Sequence, residues 1–436
     1  MTGRQLNVWI NLDLIGVLSE HNGLWAFSYA PAWLEKSAAY PLSPHLPLQQ
    51  EQHIDGATDR PVQWYFDNLL PEEEQRRLIA RAAHVGIEDA FGMLQHFGAE
   101  SAGSLTLLPP GQEPETGRVA ALSEAELAAR IRAMPRVALA EQAPKRMSLA
   151  GAQHKVGVVY EGARLFDPIG TLPSTHILKP EHPSPDYSQS VINEWFVMTL
   201  ARRLKLPVPP VYRLYIPQPV YLIERFDRRR TENGWERMHC LDACQLLNLD
   251  RSAKYSQGSV ERLKHIADGC AIPAQARMAL YRWLLFNVMV GNEDAHLKNI
   301  SFLMTPGGPQ LAPFYDLLST AAWQTRMFDK DRWPEGCTLA WPIGSEDRLA
   351  RLNGDILLAA GETLGIKRAT ALKLIHQTAR DLEREAGRLM NEVERDNARM
   401  SQQRPELQAT FPGEIRAIRA IVYIIIREMT AKCLQA

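Results

Sequence analysis

At 436 residues, with 45% hydrophobic and 23% charged side chains, the chain is long and apolar enough to bury the cores of two or three domains, which excludes a disordered polymer. A formal net charge of −1 excludes a global electrostatic drive onto nucleic acid or an anionic membrane, so any DNA contact has to be local or borrowed from a partner. The five scattered cysteines, Cys240, Cys244, Cys270, Cys337 and Cys433, imply no disulfide framework, and His239, Cys240 and Cys244 lack the second ligand pair that would complete a metal site.

No basic region leads into an apolar stretch at the N-terminus, so no signal peptide is read and a cytoplasmic chain is expected. Alternation over Leu6 to Leu12 and Leu14 to Leu18 opens a β-rich unit. Helical spacing follows from Pro71 to His84, with Glu72, Glu73 and Glu74 in the first turn where the helix dipole favours acids, and again from Ser123 to Arg132. From Val137 to Arg228 strands dominate, with one helix that carries Ile192, Trp195, Phe196, Thr199 and Leu200 on one face. Beyond Leu241 the pattern is almost all helical, apart from a hairpin near 300–316 and an apolar stretch from Leu339 to Ile343. Ile418 to Ile426 is apolar but far shorter than the roughly 20 residues of a membrane span, so it reads as a buried helix and no membrane association is expected. The chain reads as α+β in two lobes, β-rich then α-rich, with segments 1–136, 137–240 and 241–436.

The chemistry concentrates in Gly291-Asn292-Glu293-Asp294-Ala295-His296-Leu297-Lys298-Asn299, which follows the apolar run Tyr281 to Val290. Ile300 to Leu303 and Gln310 to Asp316 read as strands, and pairing about Gly307-Gly308 would set Asn299 across from Asp316. An amide and a carboxylate suit Mg²⁺, a hard cation usually held by one or two protein oxygens plus substrate phosphates. Asp294 is then available as base, and Lys298 to neutralise charge on a moving phosphoryl group. Thr175 to Lys179 reads as a strand ending in Lys179, and Glu194 lies on the following helix, an arrangement that can fix an ammonium against ATP phosphates. Met147 to Lys155, with small residues Ala150, Gly151 and Ala152 before Gln153, is the candidate phosphate loop. Pro219 to Asp227 is a strand running into a polar turn, where backbone groups from Glu224 to Phe226 could read adenine.

Taken in order, these residues resemble the HipA family, the serine/threonine kinase toxins of bacterial type II toxin–antitoxin systems. The resemblance runs nearly end to end: Tyr40-Pro41-Leu42-Ser43, Phe66-Asp67-Asn68-Leu69-Leu70-Pro71, Ser148 to Gln153, His176-Ile177-Leu178-Lys179, Ser188-Gln189-Ser190 with Asn193-Glu194, Glu224 to Arg228, and Pro313-Phe314-Tyr315-Asp316. It implies a bilobal protein-kinase-like fold related to phosphoinositide kinases, whose Asp-x-His-x-x-Asn loop is matched by Asp294, His296 and Asn299. By the same resemblance Asp294 is the catalytic base, Asn299 and Asp316 bind Mg²⁺, Lys179 contacts ATP, and Glu224 and Phe226 lie at the adenine hinge. Ser148 matches the family's autophosphorylated serine, whose modification ejects the nucleotide loop. Ala295, where relatives often carry glycine, and His154, in place of an acidic residue, depart from the pattern without removing a ligand or base.

The family also implies a HipB-like helix-turn-helix antitoxin dimer, operator DNA reached mainly through that antitoxin, and a protein substrate of the aminoacyl-tRNA synthetase kind. Lys367, Arg368 and Lys373 on a C-terminal helix read first as a solvated face, with operator DNA beside the antitoxin as the alternative. Two alternatives stay open: a small-molecule kinase on the same scaffold, and a non-enzymatic co-repressor.

Overall fold

The computed structural model describes residues 3–435 apart from 135, 233 and 306. The chain folds into two compact units that interleave along the sequence. Met1–Pro180, Leu214–Ala253 and Ser301–Pro309 form the first; Glu181–Arg213, Lys254–Ile300 and Gln310–Ala436 form the second. The interleaving follows from non-local strand pairing, which places residues distant in sequence in one sheet.

The first unit opens with an antiparallel sheet of order β4-β3-β2-β1-β5, built from β1 (Arg4–Ile10), β2 (Asp13–His21), β3 (Leu24–Tyr29), β4 (His53–Ile54) and β5 (Leu105–Leu108). Leu6, Val8 and Ile10 alternate inward from β1 and are at most 4% exposed. Asn22 and Gly23 join β2 to β3 with φ of 52° and 77°, the positive-φ pair of a type I′ hairpin, which Asn and Gly adopt at least cost. The helical spacing near Pro71 appears as a helix over Glu73–Ala82, and that near Ser123 as one over Glu124–Arg132, with the Ser123 hydroxyl capping it.

A second sheet has the order β10-β11-β9-β7-β8-β6, from β6 (Arg118–Ala121), β7 (Val156–Glu161), β8 (Arg164–Ile169), β9 (His176–Pro180), β10 (Val211–Ile216) and β11 (Gln218–Glu224). Val156, Val158, Leu178, Val220 and Leu222 form its core, and Met147 and Leu149 enter the same cluster. After the hairpin of β12 (Arg228–Thr231) and β13 (Gly234–Arg237), strand β14 (Cys240–Asp242) pairs with β15 (Ser301–Thr305), which β16 (Gly308–Leu311) flanks. Leu241 faces Phe302 in that ladder.

Two imidazoles in this unit are buried as neutral groups. His239 is 3% exposed, with Nε2 2.8 Å from the Leu42 carbonyl and Nδ1 3.0 Å from Ser104 Oγ. Burial lowers its pKa from an ordinary 6.5 to about 4, and that of His176 likewise to about 4. Because the folded-state values are depressed, the unfolded chain takes up protons first, and stability falls as pH drops from 6.5 towards 4. The loss is on the order of 3 kcal/mol per ring by pH 4. Guanidinium midpoints at pH 7 and pH 5 should therefore diverge, and diverge less in His239→Gln than in wild type.

The second unit is mainly helical. The C-terminal part of helix Pro273–Met289 is enclosed, with Leu280, Tyr281 and every residue from Trp283 to Met289 buried, which an apolar run around the whole circumference requires. Helix Arg368–Gln403 instead buries one stripe, including Ala371, Ile375, Ala379, Leu382, Ala386 and Leu389, at three- and four-residue spacing. Lys367, Arg368 and Lys373 lie on its exposed side, and Arg368 pairs with Glu362 at 3.3 Å. The apolar run near the C-terminus is buried, but helix Phe411–Ala420 passes through a π-turn at Ile421–Ile426 before Arg427–Cys433. Among the described residues no helix is long and apolar enough to cross a membrane.

Candidate active site

Helix Pro273–Met289 delivers the chain to Gly291, whose φ of 64° reverses it into the loop. A β-carbon there would lie 2.7 Å from Ile425 of the π-turn and 3.0 Å from the Ala321 methyl, so the position requires glycine twice over. The loop is held by its own polar groups. Asn292 donates to Asn287 Oδ1 at 2.8 Å, and its own Oδ1 accepts the Asp294 N–H at 3.1 Å. The Glu293 N–H donates to Thr320 Oγ1 at 2.6 Å, while the Ala321 N–H donates to the Gly291 carbonyl at 3.0 Å. Asp294 is half-buried, and the His296 N–H closes on its carbonyl at 2.9 Å.

Asn299 joins Asp294 directly, its Nδ2 donating to the Asp294 carbonyl at 2.9 Å. That bond commits the nitrogen end of the amide to the backbone and identifies the oxygen end as the one available to a cation. With the Asp316 carboxylate the donors are hard oxygens, which fit Mg²⁺ carried by substrate phosphates. Among the described residues no three His, Cys, Asp or Glu side chains gather as a metal cluster. Lys298 is 6% exposed, and its carbonyl accepts the Tyr315 hydroxyl at 2.7 Å, tying the loop to the residue before Asp316.

The strand-register route from Asn299 to Asp316 does not hold. Leu297–Asn299 forms a 3₁₀ turn and β15 begins only at Ser301, while β16 ends at Leu311. The second strand stops early because its chain is drawn to other partners: the Phe314 N–H donates to the Pro207 carbonyl at 2.7 Å, and the Phe314 ring stacks on Trp283 with centroids 6.0 Å apart. Asp316 itself takes a left-handed φ of 57°, a conformation Asp tolerates better than most residues and one that clusters at functional sites. Downstream, Ser319 and Asn193 bond reciprocally at 2.8 and 2.9 Å, fixing this segment to helix Ser190–Arg203, which also carries the buried Glu194.

In the first unit, Lys179 on β9 stands opposite Tyr221 on β11 and is 6% exposed, its ammonium 5.7 Å over the Tyr221 ring. Glu224 ends β11 opposite His176; Phe226 follows, and the intervening Arg225 N–H donates to the Thr175 carbonyl at 2.9 Å. Glu194 belongs to the other unit. The loop from Met147 is docked, not open. Ser148 is fully buried, its N–H donates to the Glu100 carbonyl at 2.8 Å, and its hydroxyl has no hydrogen-bond partner among the described residues. Gly151, at φ 107°, bridges to Pro71, its carbonyl accepting the Glu72 N–H at 3.2 Å. The Ala150 carbonyl takes Lys155 Nζ at 2.7 Å, and Gln153 reaches the Pro180 carbonyl at 3.4 Å. Ala152 lies between those anchors.

Two contributors carry no sequence signal. Tyr255 donates its hydroxyl to Asp294 Oδ1 at 2.7 Å. Glu100, 0% exposed, collects Lys145 at 2.6 Å, Arg228 and Arg237 at 3.0 Å, Arg225 at 3.6 Å, and both the N–H and hydroxyl of Ser174. Burial is the largest influence on both Glu100 and Lys145. On Glu100 the surrounding cations overcome it and hold the carboxyl well below its usual range. On Lys145 burial, aided by repulsion from Arg237 and Arg228, outweighs the one carboxylate and lowers the amine to about 8.

Comparison with known proteins places this chain among kinase-named relatives. The profile of the HipA N-terminal domain matches residues 6–108 and that of the HipA-like C-terminal domain residues 147–386. Y4mE of Sinorhizobium fredii is 37% identical over 400 residues, 87% of this chain and 91% of that protein. The serine/threonine-protein kinase toxin HipA of Shewanella oneidensis is 34% identical over 316 residues, 68% of this chain and 70% of that protein. A solved complex of Shewanella oneidensis HipA, HipB and operator DNA contains a chain that superposes with a TM-score of 0.73 at 27% identity, covering 98% of this chain and 99% of that one. The α+β architecture is therefore kinase-like.

Proposed function

The chain belongs to the HipA family, whose N- and C-terminal domains it carries in order, and from that premise we propose that it is an ATP- and Mg²⁺-dependent serine/threonine protein kinase acting as the toxin of a toxin–antitoxin pair. The observation that carries this reading is the Asp294–Asn299 loop, which holds a half-buried carboxylate and an amide in one turn closed by the bond from Asn299 Nδ2 to the Asp294 backbone carbonyl. ATP with Mg²⁺ supplies the electrophilic phosphoryl group. Asp294 takes the proton of the attacking hydroxyl; Asn299 and Asp316 hold the metal, and Lys298 offsets charge on the transferred group. Lys179, Glu194, His296 and the loop Ala150 to Gln153 serve the nucleotide phosphates, and Glu224 and Phe226 its base.

Ser148 is the self-limiting site. Met147 and Leu149, one on either side, bury side chains worth about 1.5–3 kcal/mol each, and the backbone bond to Glu100 adds about 1 kcal/mol. A phosphate bears about −1.5 to −2 charge at pH 7, and burying it unpaired costs several kcal/mol per charge, enough to offset that docking. Phosphorylated Ser148 would thus leave its niche and take the nucleotide loop with it. We assign the chain a HipB-like helix-turn-helix antitoxin dimer that carries operator DNA, a translation-related protein substrate of the aminoacyl-tRNA synthetase kind, and a place in the cytoplasm; the HipA–HipB–DNA assembly of the relative supports the partner.

Intact mass of wild type and Asp316→Ala, before and after ATP with Mg²⁺, tests the reading. One added phosphate, mapped to Ser148 and present in wild type only, is the expected result. No phosphate and no nucleotide binding would favour the co-repressor; binding without self-modification would favour a small-molecule kinase.

A further inference from the structure

Within the second unit the segment following Lys254 is docked on the catalytic loop. Trp341 is the bridge: its Nε1 donates to the Ala295 carbonyl at 3.0 Å, and its ring lies so close to Gly258 that a β-carbon there would sit 2.4 Å from it. That docking sets Tyr255 over the loop. Its ring meets His296 edge-on with centroids 5.2 Å apart, Lys254 Nζ lies 4.9 Å from the ring centre, and its hydroxyl reaches Asp294 Oδ1 at 2.7 Å. An O–H donor at that distance stands where an acceptor hydroxyl has to stand for a carboxylate base to take its proton. Yet the residue is 39% exposed, so it can turn aside without unpacking a core.

We propose that Tyr255 is a built-in stand-in for the acceptor, its hydroxyl occupying the substrate's place on Asp294 and keeping water from the base until a protein serine or threonine displaces it. This rests on the reading of Asp294 as the base. The side reaction it suppresses is hydrolysis. A water oxygen bonds to the γ-phosphorus, the bond from that phosphorus to the β,γ-bridging oxygen breaks, ADP leaves with those electrons, and Asp294 receives the water proton. A phenol on a carboxylate is a charge-assisted hydrogen bond, a class whose loss shifts an equilibrium by roughly 10-fold or more.

The test is Tyr255→Phe in a Ser148→Ala background, which removes the self-limiting modification, read as inorganic phosphate released from ATP with Mg²⁺ and water as the only acceptor. A rise of about 10-fold is expected, and self-phosphorylation of Tyr255→Phe with Ser148 intact should not fall, because the acceptor no longer has to displace the hydroxyl. Unchanged hydrolysis overturns the stand-in role, and so does joint loss of hydrolysis and self-phosphorylation, which would make Tyr255 a required positioning residue. Asp294→Asn alone separates the two readings. Transfer surviving in that variant means the base assignment has failed. Transfer abolished there, with no rise in Tyr255→Phe, means that only the stand-in has failed.

Discussion

Asp294→Ala should reduce phosphoryl transfer by about 10²- to 10⁴-fold, the range a positioned general base contributes, while thermal unfolding stays close to wild type. The fold should tolerate the change because the backbone bonds that Asp294 makes within the loop survive it. Its carbonyl accepts from Asn299 and His296 and its N–H donates to Asn292, bonds that alanine retains. Asp316→Asn is the companion variant. Asn also tolerates the left-handed φ of 57°, so this change removes the charge of the metal ligand we propose without adding backbone strain. Its activity should fall comparably and recover in part with raised Mg²⁺. Initial rates of phosphate incorporation across a Mg²⁺ series are the measurement, and full activity of either variant would sink the site assignment.

The second large effect is on stability. Glu100 and Asp227 face four cations, Lys145, Arg225, Arg228 and Arg237, so this fully buried group already has a positive excess. Burial accordingly lowers even the Arg228 guanidinium to about 10, with repulsion from Arg225 next in size. Glu100→Ala strips out the shared acceptor and leaves those cations around one remaining carboxylate. Breaking a buried pair in this way costs about 3–5 kcal/mol, and the melting temperature should drop by roughly 10 °C. Arg237→Met reduces the excess and should cost much less. A melting curve for Glu100→Ala that overlays wild type would show that the cluster does not carry the load its geometry implies. Glu100 also holds Ser148 within the same unit, its backbone carbonyl accepting the Ser148 N–H at 2.8 Å.

The helix marked by the apolar run Tyr281 to Val290, the strands carrying Lys179 and Glu224, and the loop from Asp294 to Asn299 were legible because each depends on local pattern: an apolar run of helical length, a β-branched or apolar run, polar residues at a helix exit. What misled was the step from local pattern to pairing. Two short runs about Gly307-Gly308 suggested a register that the 3₁₀ turn at Leu297–Asn299 and the capture of Phe314 by Pro207 and Trp283 do not allow. Tyr255 and Glu100 were invisible for a related reason. Neither lies in a motif, and their partners are distant in sequence: Tyr255 bonds Asp294, and Glu100 bonds groups from Lys145 to Arg237.

By itself, then, the amino-acid order determined the α+β class, most helices and strands near the site, and the identity of Asp294, Asn299, Asp316, Lys179 and Ser148 as candidates, since residue type and short-range spacing suffice for these. Only the tertiary structure decided that Ser148 lies sealed against Glu100, that Asp316 sits in a left-handed turn, and that a tyrosine hydroxyl rests on Asp294. Burial, charge clustering and the position of a hydroxyl all depend on contacts between distant segments, and those form only when the chain has closed on itself.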